Sequence, residues 1–238
     1  MKVMETFECM LTRRSIRKFK DVEVEWYLIG KVLNAGFLAP SAGNLQDFRF
    51  MVVTDPNLKK GVAQAALDQL WIEKAPVIIV IFSEFTKAKR FYGIRGERLY
   101  TIQDCAAAAQ NILLEANDLG LAACWVGAFD EDRLCSVLGI PDYARPQAII
   151  PLGYSDEQPP VPAKFKLTDL VFINRWGDNG GKVLDISAEV IKDWAPHVQK
   201  VIDGTIKAVS GAGTKFGDAI TNGAKNLTGK LKSRKKNK

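Results

Sequence analysis

A single histidine, His197, stands in 238 residues, and the four cysteines, Cys9, Cys105, Cys124 and Cys135, show no C-x-x-C spacing. That scarcity argues against a zinc site and against a disulfide framework. The cysteines read as small buried residues or ordinary thiols, Cys124 included, although it directly precedes Trp125-Val126-Gly127. No apolar run approaches the roughly 18 to 20 residues that cross a bilayer. The longest, Val77 to Phe82, reads as a buried strand. Met1 to Phe7 has neither the apolar core nor the small-residue cleavage site of a signal peptide, which predicts a cytoplasmic protein. No Gly-x-Gly-x-x-Gly follows a predicted strand and no Walker motif is present, so a separate dinucleotide domain has no support.

What is present is ordinary in bulk and uneven in distribution. With 47% hydrophobic and 25% charged residues, the chain can bury a sizeable single core. Its net charge is +6, but residues 198–238 alone hold ten Lys and Arg against Asp203 and Asp218, a net +8. The remainder is therefore weakly acidic, and nucleic-acid binding has no support outside the tail. In that tail Val198, Ile202, Ile206, Val209, Phe216, Ile220, Ala224, Leu227 and Leu231 fall mostly three and four apart. Glycines at 204, 211, 213, 217, 223 and 229 weaken an isolated helix. Two readings stay open: a disordered solubilising tail, or a segment that becomes helical on an anionic membrane surface and makes the protein peripheral.

Periodicity predicts the order of elements. Val3, Phe7, Met10 and Leu11 mark an amphipathic helix that ends at Arg13 to Arg17. A second helix runs from about Trp26 to Phe37 and stops before Pro40. Phe48 to Thr54 reads as a strand, Asp55-Pro56-Asn57 as the turn into another helix, and Ile102 to Asn117 as a long alanine-rich helix closed by Gly120. Ala122 to Phe129 reads as a strand or strand-like edge. Asp130 to Gly139 is a capped short helix and Gln147 to Tyr154 a last strand. Pro159, Pro160 and Pro162 predict an extended arm between Asp156 and Lys166. Strands alternating with helices predict a mixed sheet flanked by helices. Phe85 to Tyr100, rich in Lys, Arg and aromatics, is either a substrate-facing cover, through Phe91, Tyr92 and Arg95, or a helical surface segment.

Two short segments carry the chemistry. Thr12-Arg13-Arg14-Ser15-Ile16-Arg17 offers three guanidinium groups and a hydroxyl, which suit a phosphate and an electron-rich ring edge. Pro40-Ser41-Ala42-Gly43-Asn44-Leu45-Gln46 offers small residues that let backbone approach a planar ring, with two amides for its polar edge. Alone, the first is also a solvated helix end and the second also a turn. Together with Asp104-Cys105-Ala106 through Leu114, Asn117 to Leu121, Trp125 to Phe129 and Ile149 to Tyr154, they resemble the FMN-dependent nitroreductase family over roughly residues 1–180. The chain departs from the family pattern at Asp47-Phe48, where many members have Pro-Trp.

The resemblance implies an α+β, nitroreductase-like fold in a domain-swapped homodimer with two FMN sites at the subunit interface. It divides the chain into an FMN-binding domain at 1–180, a connecting segment at 181–197 and the tail at 198–238. It implies that Arg13 and Ser15 contact the FMN phosphate, Arg14 the ribityl or phosphate region, and Arg17 the N1 and C2 carbonyl edge, where a cation stabilises charge gained on reduction. Pro40, Ser41, Ala42, Asn44 and Gln46 are supplied by the partner subunit, and the Val126, Gly127 and Ala128 backbone lies near N5. Lys164 and Lys166 reach back to the phosphate, with Arg175 as the competing candidate.

The implied reaction is a ping-pong transfer of two electrons from NADH or NADPH through FMN to a small organic acceptor such as a nitroaromatic, quinone or enone. It needs no catalytic side chain, with Arg17 and the Gly127 backbone assisting. Same-fold alternatives are dehalogenation and flavin fragmentation, and a non-catalytic, membrane-docked flavin redox sensor is a third.

Overall fold

The computed structural model describes residues 4–165 and 167–178. It divides after Val161 into two compact units. The first is built around a four-stranded sheet. β1 (Phe48–Val53), β2 (Val77–Glu84), β3 (Ala122–Ala123) and β4 (Ala144–Gly153) lie in the order β1-β2-β4-β3. These strands pair antiparallel throughout, and an isolated parallel bridge from Ser15 to Ala123 gives the sheet its mixed character.

Helices cover both faces, which explains why β2 is apolar at consecutive positions instead of alternating. Val77, Ile79 and Ile81 belong to a core shared with α2 (Trp26–Phe37) and α5 (Thr101–Asp118). Ile78 and Val80 belong to a second core shared with α3 (Pro56–Ala65) and α6 (Glu131–Leu138). Each core residue on β2 is at most 3% exposed. On α5 the small residues Cys105, Ala108, Ala109 and Ala116 are buried, which lets the neighbouring helix come close. A Cβ added to Gly36 of α2 would lie 2.8 Å from Ile112 Cδ1.

Local signals account for several boundaries. α2 spans the predicted residues. The Asp55 carboxylate accepts from the backbone N–H of Asn57 and of Leu58 at 2.9 Å, with Pro56 at the first helical position, so α3 starts where the sequence places it. Asp130 caps α6 in the same way through the N–H of Arg133. α1 (Thr6–Thr12) ends one residue before Arg13, and the expected contribution of Val3 lies outside the described residues.

One expectation changes, and one of two open readings is met. The strand expected over Ala122 to Phe129 shrinks to two residues plus an isolated bridge from Val126 to Ile149. Cys124 donates its N–H to the carbonyl of Pro151, but Pro151 has no N–H to return, so the ladder breaks there. Between Phe85 and Tyr100 the chain is helical: α4 (Thr86–Arg95), kinked at Gly93, leads through a π turn at Gly96–Tyr100 into α5.

In the second unit, Leu167–Asp169 makes a short 3₁₀ turn, and the rings of Phe172 and Trp176 pack with centroids 4.7 Å apart. The segments expected at 181–197 and 198–238 lie outside the described residues. No helix among the described residues is long and apolar enough to cross a membrane.

Candidate flavin site

The arginine segment leaves α1 in extended form and runs along the sheet beside β3. Ile16 donates its N–H to the Ala123 carbonyl at 3.2 Å, Lys20 donates to Tyr154, and Asp156 donates back to Lys18. Glu157 accepts the backbone N–H groups of Arg17 and Lys18. These bonds hold the main chain and leave the Arg17 side chain exposed, with its guanidinium 5.9 Å from the Trp71 ring centre. Arg14 is differently placed, since Nη1 donates to the carbonyls of Leu11 at 2.6 Å and Arg13 at 2.8 Å.

Ser15 pairs with Ala123, next to Cys124 at the start of the other predicted segment. Burial pushes the Cys124 thiol up, and Arg17, a hydrogen bond with Ser15, and Arg13 oppose it. A buried thiol with a raised pKa stays protonated, which fits a packing role. Beyond it Val126 exchanges two backbone hydrogen bonds with Ile149, at 2.9 and 3.0 Å, which fixes the exposed Gly127 and Ala128 that follow. A Cβ built on Gly127 would meet nothing of this chain closer than Trp125 Nε1 at 3.7 Å. Packing within the chain therefore does not require a glycine there.

The sequence reading missed the 3₁₀ turn Leu70–Lys74 that joins these two segments. Besides Trp71 against Arg17, Gln69 Nε2 donates to the Ala128 carbonyl at 3.2 Å. Nothing local in Asp68-Gln69-Leu70-Trp71 announces that role.

The Ser41 to Gln46 loop is positioned elsewhere, between α2 and β1 and against the start of α5. Gly43, Asn44 and Gln46 all have positive φ, at 57°, 55° and 50°. For the two non-glycine residues this is a strained path that must be held by contacts. The contacts are visible: Asn44 N–H donates to the Ser41 carbonyl and Gln46 N–H to Ser41 Oγ, both at 2.9 Å, while Gln46 Nε2 donates to Asn44 Oδ1 at 3.1 Å. The Tyr92 hydroxyl from α4 lies 2.2 Å from where a Cβ on Gly43 would be, so a side chain there would have to displace the tyrosine on a backbone already left-handed. From behind, both carboxylate oxygens of Asp104 accept the Ala42 N–H at 3.0 Å. Pro40 is exposed at the loop's entrance.

The second unit holds the remaining candidates. Lys164 and Arg175 are exposed there, and Lys166 lies outside the described residues. Among the described residues no group of three or more His, Cys, Asp or Glu could hold a metal ion.

The nitroreductase family model matches residues 10–76 and 68–154. A Methanothermobacter thermautotrophicus protein, named provisionally as an NADH dehydrogenase/NAD(P)H nitroreductase, is 35% identical over 177 residues, covering 73% of this chain and 88% of that one. The FMN reductase (NADPH) of Bacillus subtilis is 25% identical over 174 residues, 66% of this chain and 70% of that one. Among solved structures, an FMN-dependent nitroreductase from Clostridium difficile superposes with a TM-score of 0.60 at 30% identity, over 71% of this chain and 99% of that one. Taken with the α+β fold, these matches place the chain in the nitroreductase family.

Proposed function

We propose that this chain is an NAD(P)H-dependent FMN oxidoreductase that passes two electrons to a small organic acceptor by a ping-pong mechanism, working as a homodimer. The observation that carries the reading is that Arg17, over Trp71, and the exposed Gly127–Ala128 backbone, reached by Gln69, meet at the same short 3₁₀ turn, with Ser15 bridged to Ala123. The group that fits is planar, anionic at one end and electron-rich at one edge. The names borne by relatives, NAD(P)H nitroreductase and FMN reductase, support the donor and the cofactor.

The chemistry that bound FMN supplies is two-electron transfer between the nicotinamide and an acceptor visiting the same space. The chain's residues bind and orient. Arg13 and Ser15 hold the phosphate, the free guanidinium of Arg17 faces the electron-rich ring edge, and the Gly127 backbone lets the ring lie close. Arg14, turned onto its own backbone, supports the end of α1 and the ribityl region. Ser41, Ala42, Asn44 and Gln46, held by α5 away from the arginine segment, are presented to the FMN of the partner subunit. Nitroaromatics, quinones and enones are the proposed acceptors.

The test is direct. The purified protein is expected to be yellow, to release FMN on denaturation, to sediment as a dimer, and to give parallel double-reciprocal lines with NADH or NADPH against a quinone. A colourless protein that neither takes up FMN nor oxidises NAD(P)H would end the reading.

The basic tail adds a cytoplasmic, peripheral-membrane proposal. With a net +8 over residues 198–238, and each Lys or Arg near an anionic bilayer contributing on the order of 1 kcal/mol, the tail attaches the enzyme to acidic lipid. Acidic vesicles are expected to float the full chain at low salt and to leave behind a chain ending at Pro196. Equal flotation of the two rejects it.

A further inference from the structure

The carboxylate that anchors the Ser41–Gln46 loop has a second buried acid beside it with no side-chain cation bonded to it. Asp104 is 6% exposed and receives the Ala42 N–H on both oxygens. Asp47, the residue after the loop, is 1% exposed, and among the described residues no other residue's donor reaches either of its oxygens. Two adjacent buried carboxylates served only by backbone N–H groups cannot both stay ionised cheaply, so the pair holds a proton. The asymmetry decides where it rests. Asp104 accepts the Ala42 N–H on both oxygens, whereas Asp47 has only the weaker help of its own backbone N–H, so Asp47 is the acid and Asp104 the anion.

The other groups around the pair do not change this. On α5, burial drives the Cys105 thiol up, then Asp47 and Asp104 add to it, so it stays neutral. On β1, Arg49 is engaged by Glu84 of β2 and by the carbonyls of Gln46 and Phe48, and gives the pair a weak field without a hydrogen bond. Burial, followed by Asp104, pushes the Asp47 carboxyl up to about 6, while burial also raises Asp104 against the N–H of Ala42.

We propose that Asp47 is a positioning residue for the cofactor loop: its proton, shared with Asp104, keeps Asp104 seated on Ala42 and holds Gly43 to Gln46 in their left-handed path. When that proton leaves, two anions repel behind the loop and the path loosens. The proposal rests on reading Ser41–Gln46 as half of the FMN site. A carboxyl whose folded pKa lies above its ordinary value favours the folded arrangement at low pH. That contribution falls away as pH rises from the ordinary carboxylate range through about 6. Flavin affinity therefore falls as pH rises.

The experiment is FMN titration by fluorescence quenching from about pH 5 to about pH 8, on the wild type and on Asp47→Asn, with amide hydrogen exchange at Ala42 in the flavin-free protein. The wild-type Kd is expected to rise about tenfold across that range, the effect of one pKa unit of coupling. Asp47→Asn, which keeps a donor and carries no charge, binds tightly throughout with a flat profile. Exchange at Ala42, corrected for its intrinsic pH dependence, accelerates with pH in the wild type and not in the variant. If Asp47→Asn fails to fold, the wild-type exchange profile decides alone. A wild type with pH-independent affinity and exchange, or a variant with the wild-type slope, overturns the role of Asp47. A protein that takes up no FMN at any pH, yet loses protection at Ala42 as pH rises, overturns the flavin reading and leaves the carboxyl pair in place.

Discussion

Arg17→Ala is expected to weaken FMN binding and slow flavin reduction by about tenfold to a hundredfold each, while leaving the fold intact. The magnitude follows from a charged hydrogen bond worth about 1.5 to 3 kcal/mol. The selectivity follows from the structure. Glu157 holds the main chain of Arg17, not its guanidinium, and the side chain is exposed over Trp71 without an ion pair among the described residues. Removing it costs the protein little packing. Arg14→Ala supplies the contrast: its guanidinium is occupied by the carbonyls of Leu11 and Arg13, so its loss should show in melting temperature more than in flavin affinity. Stopped-flow reduction, FMN titration and thermal melts separate the two. An Arg17→Ala enzyme with unchanged FMN content and reduction rate removes that residue from the site.

Gly96→Ala is expected to destabilise the protein by about 3 kcal/mol, toward the upper end for an overpacked position. A Cβ there would lie 2.1 Å from the Ala88 carbonyl oxygen and 2.9 Å from Tyr92 Cβ. The first neighbour is helix backbone and cannot rotate away. The π turn would have to separate from α4, and Tyr92, which seats against Gly43, would move with it. Urea unfolding of the apoprotein measures the loss. A midpoint shift equivalent to less than about 0.5 kcal/mol would show that the turn opens freely.

What could be read from the sequence was what short-range chemistry decides. Trp26 to Phe37 carries its own periodicity and stops before Pro40, so both ends of α2 were visible. Asp55-Pro56 names a helix start, and Val77 to Phe82 is too apolar for anything but a strand covered on both faces. The failures came from partners distant in sequence. β3 is short because of a proline on another strand. Trp71 and Gln69 matter because a turn happens to bridge Arg17 and Ala128. The loop anchor joins residues 62 apart, and neither Ala42 nor Asp104 hints at the other. Resemblance named the arginine segment, the small-residue loop and Gly127. Asp47, where the chain leaves the family pattern, became informative only once its burial was known.

The central place of β2 bears on how the protein comes off the ribosome. Its partner β1 precedes it, so Phe48–Val53 and Val77–Glu84 can form a ladder as soon as residue 84 emerges. Its other edge must wait for Ala144–Gly153, and one of its faces for α5. Through the synthesis of some sixty more residues, at about 5 to 20 residues per second, the nascent chain therefore carries its most apolar strand with a bare hydrogen-bonding edge. That interval of several seconds is when a chaperone would find this chain, and when two nascent copies would be most prone to pair by the wrong strands.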